Sequence, residues 1–323
     1  MAMTTAVIEA YRPGDEIGIV NVWNRAMPTD PVDLRRVTAQ ILCEPNAEEE
    51  GLLIARSEAG QVVGFAYATV RRLAPGPGAL LDTENAWINA FAVDPDVRRQ
   101  GIGTALMDKV QTYARARERK ALLVAGFAPR YFAPGLDTAR YPEAAGFLRS
   151  LGFLPGHESV SMQADLLNFA IPADVVSVEA QANREGFVFE TLSPAYLLRL
   201  AHFIREHFQP GAAQAIQDAV TYGGDMRQVW MARRGEEVVG YCMHGLYDGN
   251  PERFGPFGVR EDLRGKGIGK VLLYRCMEGM HRRGLRLVWF WSTGEKSPAG
   301  YLYRRAGFET VRRFETFRKE LGT

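Results

Sequence analysis

Two short stretches of the sequence place basic residues and closely spaced glycines directly before an apolar run. They are VRRQGIGTALM at Val97–Met107 and LRGKGIGKVLL at Leu263–Leu273. A turn that joins a strand to the start of a helix presents unpaired backbone N–H groups at the positive end of the helix dipole. Glycines allow a ligand to approach that backbone closely. Both stretches therefore predict a binding site for a phosphate or pyrophosphate group.

Basic side chains in both turns could add charge-assisted hydrogen bonds to the same anion. They are Arg98, Arg99, Arg264 and Lys266. The plainer alternative is a helix start at which the glycines only permit tight packing. Other phosphate motifs fit less well, because neither turn contains the Gly-Lys-Ser/Thr of a P-loop, and Leu106 and Leu272 stand where a dinucleotide fingerprint needs a third glycine. A nucleotide-hydrolysing or NAD-dependent enzyme is therefore not expected.

The elements that precede the two turns repeat along the chain. LLIARSEAGQVVGFAYA at Leu52–Ala68 is echoed by VWMARRGEEVVGYCMHG at Val229–Gly245, and both have the pattern of a β-hairpin. A strand pattern follows in each half and leads into the turn, with Val93 of the first strand aligned to Val259 of the second. The chain therefore contains two copies of one structural unit.

The elements that follow the turns repeat as well. Each turn continues into a helix, an apolar strand (ALLVAGF, LRLVWFW) and a short helix that ends in Gly-Phe, at Phe153 and Phe308. The first helix of each half carries apolar residues at helical spacing: Ala105, Leu106, Val110 and Tyr113, and Leu272, Leu273, Cys276 and Met280. The charged tail RRFETFRKEL predicts a final strand. Each half is thus expected to be a mixed α/β unit.

The repeat sets the expected domain boundaries. We expect an N-terminal domain at 1–167, a linker at 168–186 in which Ile171-Pro172 stops any helix, and a C-terminal domain at 187–323. The first half carries longer loops, RRLAPGPGALLDTEN and APRYFAPGLDT. The second of these loops could be a lid over an acceptor or a structural loop packed on its own aromatic residues.

Composition restricts the class of protein. The net charge of +1, the 46% hydrophobic and the 24% charged residues are ordinary for a soluble protein and give no reason to expect a nucleic-acid or membrane partner. The N-terminus does not resemble a secretory leader, and no run of about 18 apolar residues occurs. The three cysteines lie far apart without metal-ligand spacing. We expect a cytoplasmic protein with buried free thiols and no metal; its oligomeric state is unknown.

The two turns resemble the pyrophosphate loop of the GNAT acetyltransferase superfamily, which has the form Gln/Arg-x-x-Gly-x-Gly/Ala. Arg98–Gly103 and Arg264–Gly269 both match this form, and each follows a strand. The resemblance covers nearly the whole chain as two tandem copies. It implies the GNAT fold in each half, a mostly antiparallel sheet with a splayed strand pair and flanking helices. It also implies acetyl-CoA as the donor and an amine as the usual acceptor; tandem members include the mycothiol-synthesising acetyltransferases.

The same resemblance implies the coenzyme-binding residues. In the family, the splayed strand before the loop binds the pantetheine arm through its main chain, and Pro256 suits a bulge or splay better than a central paired strand. In the first half the implied residues are Phe91, Ala92, Val93, Arg98, Arg99, Gln100, Gly101, Ile102, Gly103 and Thr104. In the second half they are Phe257, Gly258, Val259, Arg264, Gly265, Lys266, Gly267, Ile268, Gly269 and Lys270.

Acetyl transfer to an amine needs a deprotonated amine, stabilisation of an oxyanion and a proton for the departing thiolate. Many family members supply that proton from a tyrosine four residues before the glycine of Gly-Phe. Tyr303 has this position in the second half, whereas Leu148 has it in the first, and Tyr141 lies about two helical turns earlier. We expect the second half to be catalytic and the first to bind coenzyme or be partly degenerate. Alternatively, Tyr303 only packs its helix on the sheet.

The general base and the acceptor are less well defined. Five residues near the expected cleft are candidates for the base: Asp82, Glu84, His244, Asp248 and Glu252. Each could instead be a solvated loop charge, and a chain of ordered waters could remove the proton. The expected acceptor is a primary amine on a small molecule. Two alternatives remain open: a CoA-sensing protein without turnover, and an acyltransferase that uses a longer acyl-CoA.

Overall fold

The computed structural model describes residues 6–74, 80–127, 131–208, 210–246 and 249–322. Within these residues the chain forms two compact units. The first unit comprises 6–74, 80–127, 131–158 and 314–322, and the second comprises 159–208, 210–246 and 249–313.

The first unit is built on a sheet of mainly antiparallel strands. Its elements in chain order are β1 (Val7–Ala10), α1 (Glu16–Ala26), α2 (Leu34–Val37), β2 (Leu52–Arg56), β3 (Val62–Val70), β4 (Asn85–Val93), α3 (Ile102–Ala116), β5 (Ala121–Val124), α4 (Pro142–Ser150) and β6 (Leu154–Asp165). Strands β1 to β4 pair antiparallel, and β4 pairs in parallel with β5. The described β4–β5 ladder ends at Ile88 and Val124, although β4 continues to Val93. The two strands therefore separate beyond Ile88.

The second unit repeats this plan. Its elements are α5 (Ala173–Arg184), β7 (Phe187–Thr191), α6 (Pro194–His207), α7 (Pro210–Thr221), β8 (Val229–Arg234), β9 (Glu237–His244), β10 (Phe254–Val259), α8 (Ile268–Arg282), β11 (Leu287–Thr293), α9 (Pro298–Arg305) and β12 (Glu309–Glu320). Strands β7 to β10 pair antiparallel in sequence order. Strand β11 meets the chain at a parallel bridge between Trp289 and Arg253, just before β10, and no described β11 residue is paired with β10 from there to Val259. A splayed strand pair is thus present in both units.

The helix that follows each turn packs one apolar face on its sheet. In α3 the residues Leu106, Val110 and Tyr113 are buried as predicted, whereas Ala105 is exposed. In α8 all four predicted core residues are buried. Helices α1 and α6 cover the opposite faces of the two sheets with cores of their own. Each unit is therefore a sheet between helical layers, as the 3.6-residue periodicity predicts.

The last strand of the chain completes the first unit. Residues Phe317–Glu320 of β12 pair antiparallel with Ala121–Val124 of β5, and the Phe317 side chain is fully buried in the core beneath α3. In the second unit, Val160–Asp165 of β6 pairs antiparallel with β11. Strands β6 and β12 are each 12 residues long, and the division between the units falls within both. The start of β6 and the end of β12 belong to the first unit, whereas the end of β6 and the start of β12 belong to the second.

The order of helices and strands confirms the predicted mixed α/β repeat and the predicted final strand. The expectation that Ile171-Pro172 stops any helix in 168–186 was wrong, because α5 begins directly after Pro172. Proline fits the start of a helix, where its missing N–H removes no intrahelical bond. The division between the compact units falls inside β6, after Glu158, and inside β12, after Arg313, whereas the expected domains were 1–167 and 187–323.

Candidate active site

The first turn forms a cradle between β4 and α3, and we call Arg98–Gly103 the first cradle. Helix α3 starts after Gly101, whose φ of 82° lies in the left-handed region that favours glycine. Arg99 also has a positive φ, 63°. The Arg98 guanidinium donates from Nε to the carbonyl oxygen of Val93 at 3.2 Å and from Nη2 to that of Ala26 at 3.4 Å. Arg98 therefore fixes the turn to neighbouring backbone.

The second cradle, Arg264–Gly269, has the same backbone path between β10 and α8. Gly265 and Gly267 both have φ of 82°. Gly265 corresponds to Arg99 of the first cradle, so the positive φ at this position is adopted here by a glycine. Arg264 forms an exposed ion pair with Glu261 at 3.3 Å. Lys270, in the first turn of α8, forms an ion pair with Asp174 of α5 at 2.5 Å. The second cradle is thus less strained than the first, but two of its expected cations, Arg264 and Lys270, already form ion pairs.

The last glycine of each cradle makes room for an aromatic ring. A Cβ added to Gly103 would lie 3.2 Å from the Phe147 ring and 3.5 Å from that of Phe91. A Cβ added to Gly269 would lie 3.1 Å from the Phe257 ring. Tight packing, the plainer explanation of the glycines, therefore accounts for this position, while the positive φ accounts for the glycine before it.

Helix α5 distinguishes the two cradles. A Cβ added to Gly267 would lie 2.4 Å from Cγ1 of Val178 on α5, whereas a Cβ added to Gly101 would meet nothing within 4 Å. Val175 of α5 packs on Val271 of α8, which is buried, while Ala105 is exposed at the corresponding place on α3. The helix side of the second cradle is covered and that of the first is open. The sequence missed this difference because α5 was expected to be a linker.

The strands that lead into the cradles also differ in their surroundings. Phe91 and Val93 of β4 are half-buried and Ala92 is buried. In β10, Phe257 is half-buried, and a Cβ on Gly258 would come within 2.3 Å of the Phe208 ring. The pairing of β10 with β9 slips between Phe254 and Phe257, which confirms the predicted bulge at Pro256.

Tyr303 of α9 lies in an aromatic cluster at the splay between β10 and β11. Its ring centroid is 4.5 Å from that of Phe290 on β11 and 6.2 Å from that of Phe257 on β10. The side chain is 6% exposed, and this burial raises the pKa of the Tyr303 phenol above its ordinary value. Tyr303 therefore remains protonated at neutral pH, next to the strand that was expected to bind the pantetheine arm.

The first unit has no tyrosine at the corresponding position. Leu148 is buried in the core, and the neighbouring Phe147 stacks on Phe91 with ring centroids 5.6 Å apart. The Tyr141 hydroxyl donates to the carboxylate of Asp30 at 2.5 Å, at the N-terminal end of α4. A proton donor equivalent to Tyr303 is therefore not supplied by α4.

Three of the candidate bases, Asp82, Glu84 and His244, already have structural contacts. Asp82 accepts hydrogen bonds from the backbone N–H groups of Glu84 and Asn85, and Glu84 pairs with Lys120 at 2.9 Å. His244 is 1% exposed; its Nδ1 hydrogen-bonds to the carbonyl oxygen of Pro251, and burial lowers its pKa.

The remaining two candidates for the general base are Glu252 and Asp248. Glu252 uses its backbone carbonyl to accept from the N–H of Trp289 at 3.1 Å. Asp248 lies outside the described residues. The geometry therefore assigns a base position to none of the four candidates that the structure describes.

The first-half loop that could have been a lid is fixed to the unit in its described part, 131–138. Leu136 and Glu315 of β12 exchange two backbone hydrogen bonds, of 2.8 and 2.9 Å. The Phe132 ring packs on Trp23 at a centroid distance of 4.9 Å. Residues 128–130 of this loop and 75–79 of the other insertion lie outside the described residues. The described part behaves as a packed structural loop.

Two further expectations concern thiols and ions. Cys242 and Cys276 are buried free thiols as predicted, but Cys43 is exposed, because it follows the helical turn that ends at Leu42. Among the described residues, no group of His, Cys, Asp or Glu side chains could hold a metal ion. No helix in the described ranges is long and apolar enough to cross a membrane.

One polar residue near the splay was missed by sequence reasoning. Asn89 interrupts the apolar strand β4, and its side chain is buried with neither amide atom hydrogen-bonded within the described protein. The available signal was a single polar residue in INAFAV, a strand that is otherwise apolar.

These features define a class of protein: a tandem acyltransferase whose units combine a splayed strand pair with an anion-binding turn at a helix start. Family models agree. The Acetyltransferase (GNAT) family model matches residues 18–130, and the Acetyltransferase (GNAT) domain model matches 225–310. The chain belongs to the GNAT acetyltransferase family. It is an acetyl-CoA-dependent N-acetyltransferase with two tandem GNAT domains.

Relatives with curated functions share this architecture at low identity. The mycothiol acetyltransferase of Saccharomonospora viridis is 27% identical, with 78% of each chain covered. The mycothiol acetyltransferase of Thermobifida fusca is 27% identical over 68% of this chain and 70% of its own.

Solved structures show the same fold. A GCN5-related N-acetyltransferase from Sphaerobacter thermophilus superposes with a TM-score of 0.71, 19% identity and coverage of 98% of this chain and 96% of its own. A tandem GNAT protein from the clavulanic acid biosynthesis pathway has a TM-score of 0.64, 20% identity and 99% coverage of both chains.

Proposed function

We propose that the protein transfers an acetyl group from acetyl-CoA to the primary amine of a small molecule, and that Tyr303 of the second unit is the general acid. The observation that carries the proposal is the position of Tyr303 at the β10–β11 splay, against Phe257 and Phe290. Because burial keeps the phenol protonated, its hydroxyl can give a proton to the departing CoA thiolate. The name of the curated relatives supports a small-molecule acceptor.

Acetyl-CoA supplies the acyl group as a thioester, and the chain supplies the binding groups. In the second unit the backbone of Phe257–Val259 would hold the pantetheine arm, and the N–H groups of the second cradle would hold the pyrophosphate. Arg264 and Lys266 are exposed at this cradle and can pair with the phosphates. In the first unit the residues Phe91–Val93 and the first cradle, with Gln100 and Thr104, offer the same groups.

The described residues fit this ligand. The first turns of α3 and α8 leave backbone N–H groups without intrahelical acceptors, and left-handed glycines open both helix starts. Tyr303 belongs to a buried apolar cluster with Phe254, Phe290 and Phe308, which would limit water around the reacting thioester. A carboxylate near the aromatic cluster is not required, because water can take the proton from the ammonium of the acceptor.

Thiol release from acetyl-CoA tests the proposal. The purified protein is incubated with acetyl-CoA and a panel of small primary amines that includes the acceptor of mycothiol acetyltransferases, and free CoA is measured. We expect amine-dependent release. Binding of acetyl-CoA without release for any amine would instead favour the CoA-sensing alternative. A series of acyl-CoA donors of increasing length decides between an acetyltransferase and an enzyme for longer acyl groups.

A further inference from the structure

The Asn89 side chain is a buried carboxamide without a hydrogen-bond partner in the described protein. The residue is 8% exposed, and both Oδ1 and Nδ2 are buried and unpaired. Most buried polar side chains in folded proteins are hydrogen-bonded, because an unpaired one loses its hydration without compensation. A position that carries this penalty is a candidate for contact with a ligand.

Asn89 occupies the point at which β4 and β5 separate. Ile88 is the last residue of β4 that pairs with β5, opposite Val124, and its carbonyl accepts from the N–H of Ala125 at 3.0 Å. Towards β3, Ile88 pairs with Ala68 and Ala90 with Tyr67, so Asn89 is the extra residue of a β-bulge. The bulge places Asn89 at the closed end of the splay.

Only the end of β4 and the short segment after it separate Asn89 from the first cradle, and the first cradle is open at Gly101. Asn89 precedes Phe91–Val93, the segment proposed to hold the pantetheine arm, by two residues. The strand then leads to the first cradle, where Gly101 is exposed and a Cβ would meet no atom within 4 Å. A ligand whose pyrophosphate lies in the first cradle would therefore extend its other end towards Asn89.

The two units supply their polar group at the splay from different elements. By the alignment of Val93 with Val259, Gly255 of β10 corresponds to Asn89 of β4, and it has no side chain to offer. The second unit places the Tyr303 phenol near its splay, whereas the first has Leu148 in α4. The first unit therefore does have a polar side chain at its splay, but this side chain comes from strand β4 and not from a helix.

We propose that Asn89 is a binding residue for the thioester end of an acyl-CoA in the first unit. The proposal rests on the proposed function in taking acyl-CoA as the donor. The Nδ2 group donates to the thioester carbonyl oxygen, and Oδ1 accepts from an amide N–H of the pantetheine arm. Both atoms that are unpaired in the free protein then have a partner. The first unit holds coenzyme and is not a degenerate copy.

Hydrogen exchange with and without acetyl-CoA tests this assignment on the full-length protein. The peptide at 86–94 reports the first unit and the peptide at 254–260 the second. The variants are Asn89→Leu, of similar volume, and Asn89→Ala in case leucine disturbs folding. The matched control is Trp230→Phe, which removes a buried and unpaired indole N–H in the second unit away from the splay.

We expect acetyl-CoA to protect 86–94 in the wild type and in Trp230→Phe. Asn89→Leu should weaken this protection and raise the dissociation constant of the first-unit site about tenfold, without lowering the melting temperature, because an unpaired polar group is removed. Unchanged protection in both Asn89 variants would overturn the proposal and leave Asn89 as a hydrated core residue. So would absence of wild-type protection at 86–94. Loss of amine-dependent thiol release would instead count against the proposed function.

Discussion

Val178 of α5 lies against Gly267 at the start of α8, so closely that a Cβ on this glycine would come within 2.4 Å of Val178 Cγ1. The corresponding glycine of the first unit, Gly101, has the same φ of 82° and no atom within 4 Å of its Cβ position. Two turns with the same sequence form and the same backbone therefore differ in their surroundings. This difference can be measured.

Alanine at these two glycines should separate backbone strain from steric contact. Gly101→Ala should cost about 1–2 kcal/mol, because a Cβ is disfavoured at positive φ. Gly267→Ala should cost more, because the new methyl also meets Val178. Urea unfolding of both variants and of Gly267→Ala/Val178→Ala gives the comparison, since alanine at 178 leaves only its Cβ, at 3.8 Å. Equal losses in the two single variants would contradict the observed contact.

Removing the charge of Asp174 should improve coenzyme binding at the second cradle. Its carboxylate pairs with Lys270, whose ammonium holds the pKa of Asp174 below its usual range, so it is ionised at neutral pH. Asp174→Asn frees a cation for the pyrophosphate and removes a repelling charge. We expect the KM for acetyl-CoA to fall about twofold to fivefold at low salt and the gain to shrink as salt rises.

The control for this variant is Glu185→Gln at the other end of the α5 region, which makes the same change in net charge. It should leave the KM unchanged. An equal fall in KM for both variants would indicate a general effect of net charge and not release of Lys270.

Tyr303→Phe should lower kcat about 10²- to 10⁴-fold with amine and acetyl-CoA saturating, because the proton for the thiolate is lost. The fold should be preserved, since the aromatic ring and its packing on Phe290 remain. Tyr274→Phe is the matched control: it removes a hydroxyl that donates to the Arg305 carbonyl at 3.4 Å, elsewhere in the same unit. A decrease of less than about threefold in Tyr303→Phe would rule out the acid role.

Phe317→Ala should destabilise the first unit although it changes the last strand of the chain. The side chain is fully buried beneath α3, and loss of such a phenylalanine costs about 3–5 kcal/mol. Hydrogen exchange should show faster exchange in β5, to which β12 pairs at Phe317 and Val124. Val311→Ala, on an exposed part of the same strand, should change stability by less than about 0.5 kcal/mol.

Stability should fall as pH decreases through the range in which unfolded histidine gains a proton. Burial lowers the pKa of His244 in the folded protein from its ordinary value of 6.5, so below that pH the unfolded chain binds more protons. The slope from this residue is limited to about 1.4 kcal/mol per pH unit. Urea unfolding at pH 7.5 and 5.0 should show a smaller decrease in His244→Phe, and His202→Gln, at an exposed site, should behave as wild type.

The order of elements followed from the sequence because its signals are local. Helical spacing placed Leu106 and Leu272 in the cores, and alternating apolar runs placed the hairpins. The cradles were found in the same way, since positive φ at Gly101 and Gly267 is a requirement of the turn itself. The bulge at Pro256 followed from the missing N–H of proline.

Other parts of the site could not be read from the chain. For Asn89 the only signal in the sequence was one polar residue in an apolar strand. For α5 it was a proline before a polar segment, which we interpreted as a linker. Whether Asn89 is hydrogen-bonded depends on every side chain that packs around it, and these come from distant positions.

The sequence by itself determined the repeated mixed α/β units, the two glycine turns and the contrast between Tyr303 and Leu148, because periodicity, backbone sterics and residue type act within a few neighbouring residues. Only the tertiary structure decided that Val178 covers Gly267, that Phe317 completes the first core and that Asn89 is left unpaired at the splay. These relationships depend on which apolar surfaces bury one another, and that choice is made by the whole folded unit.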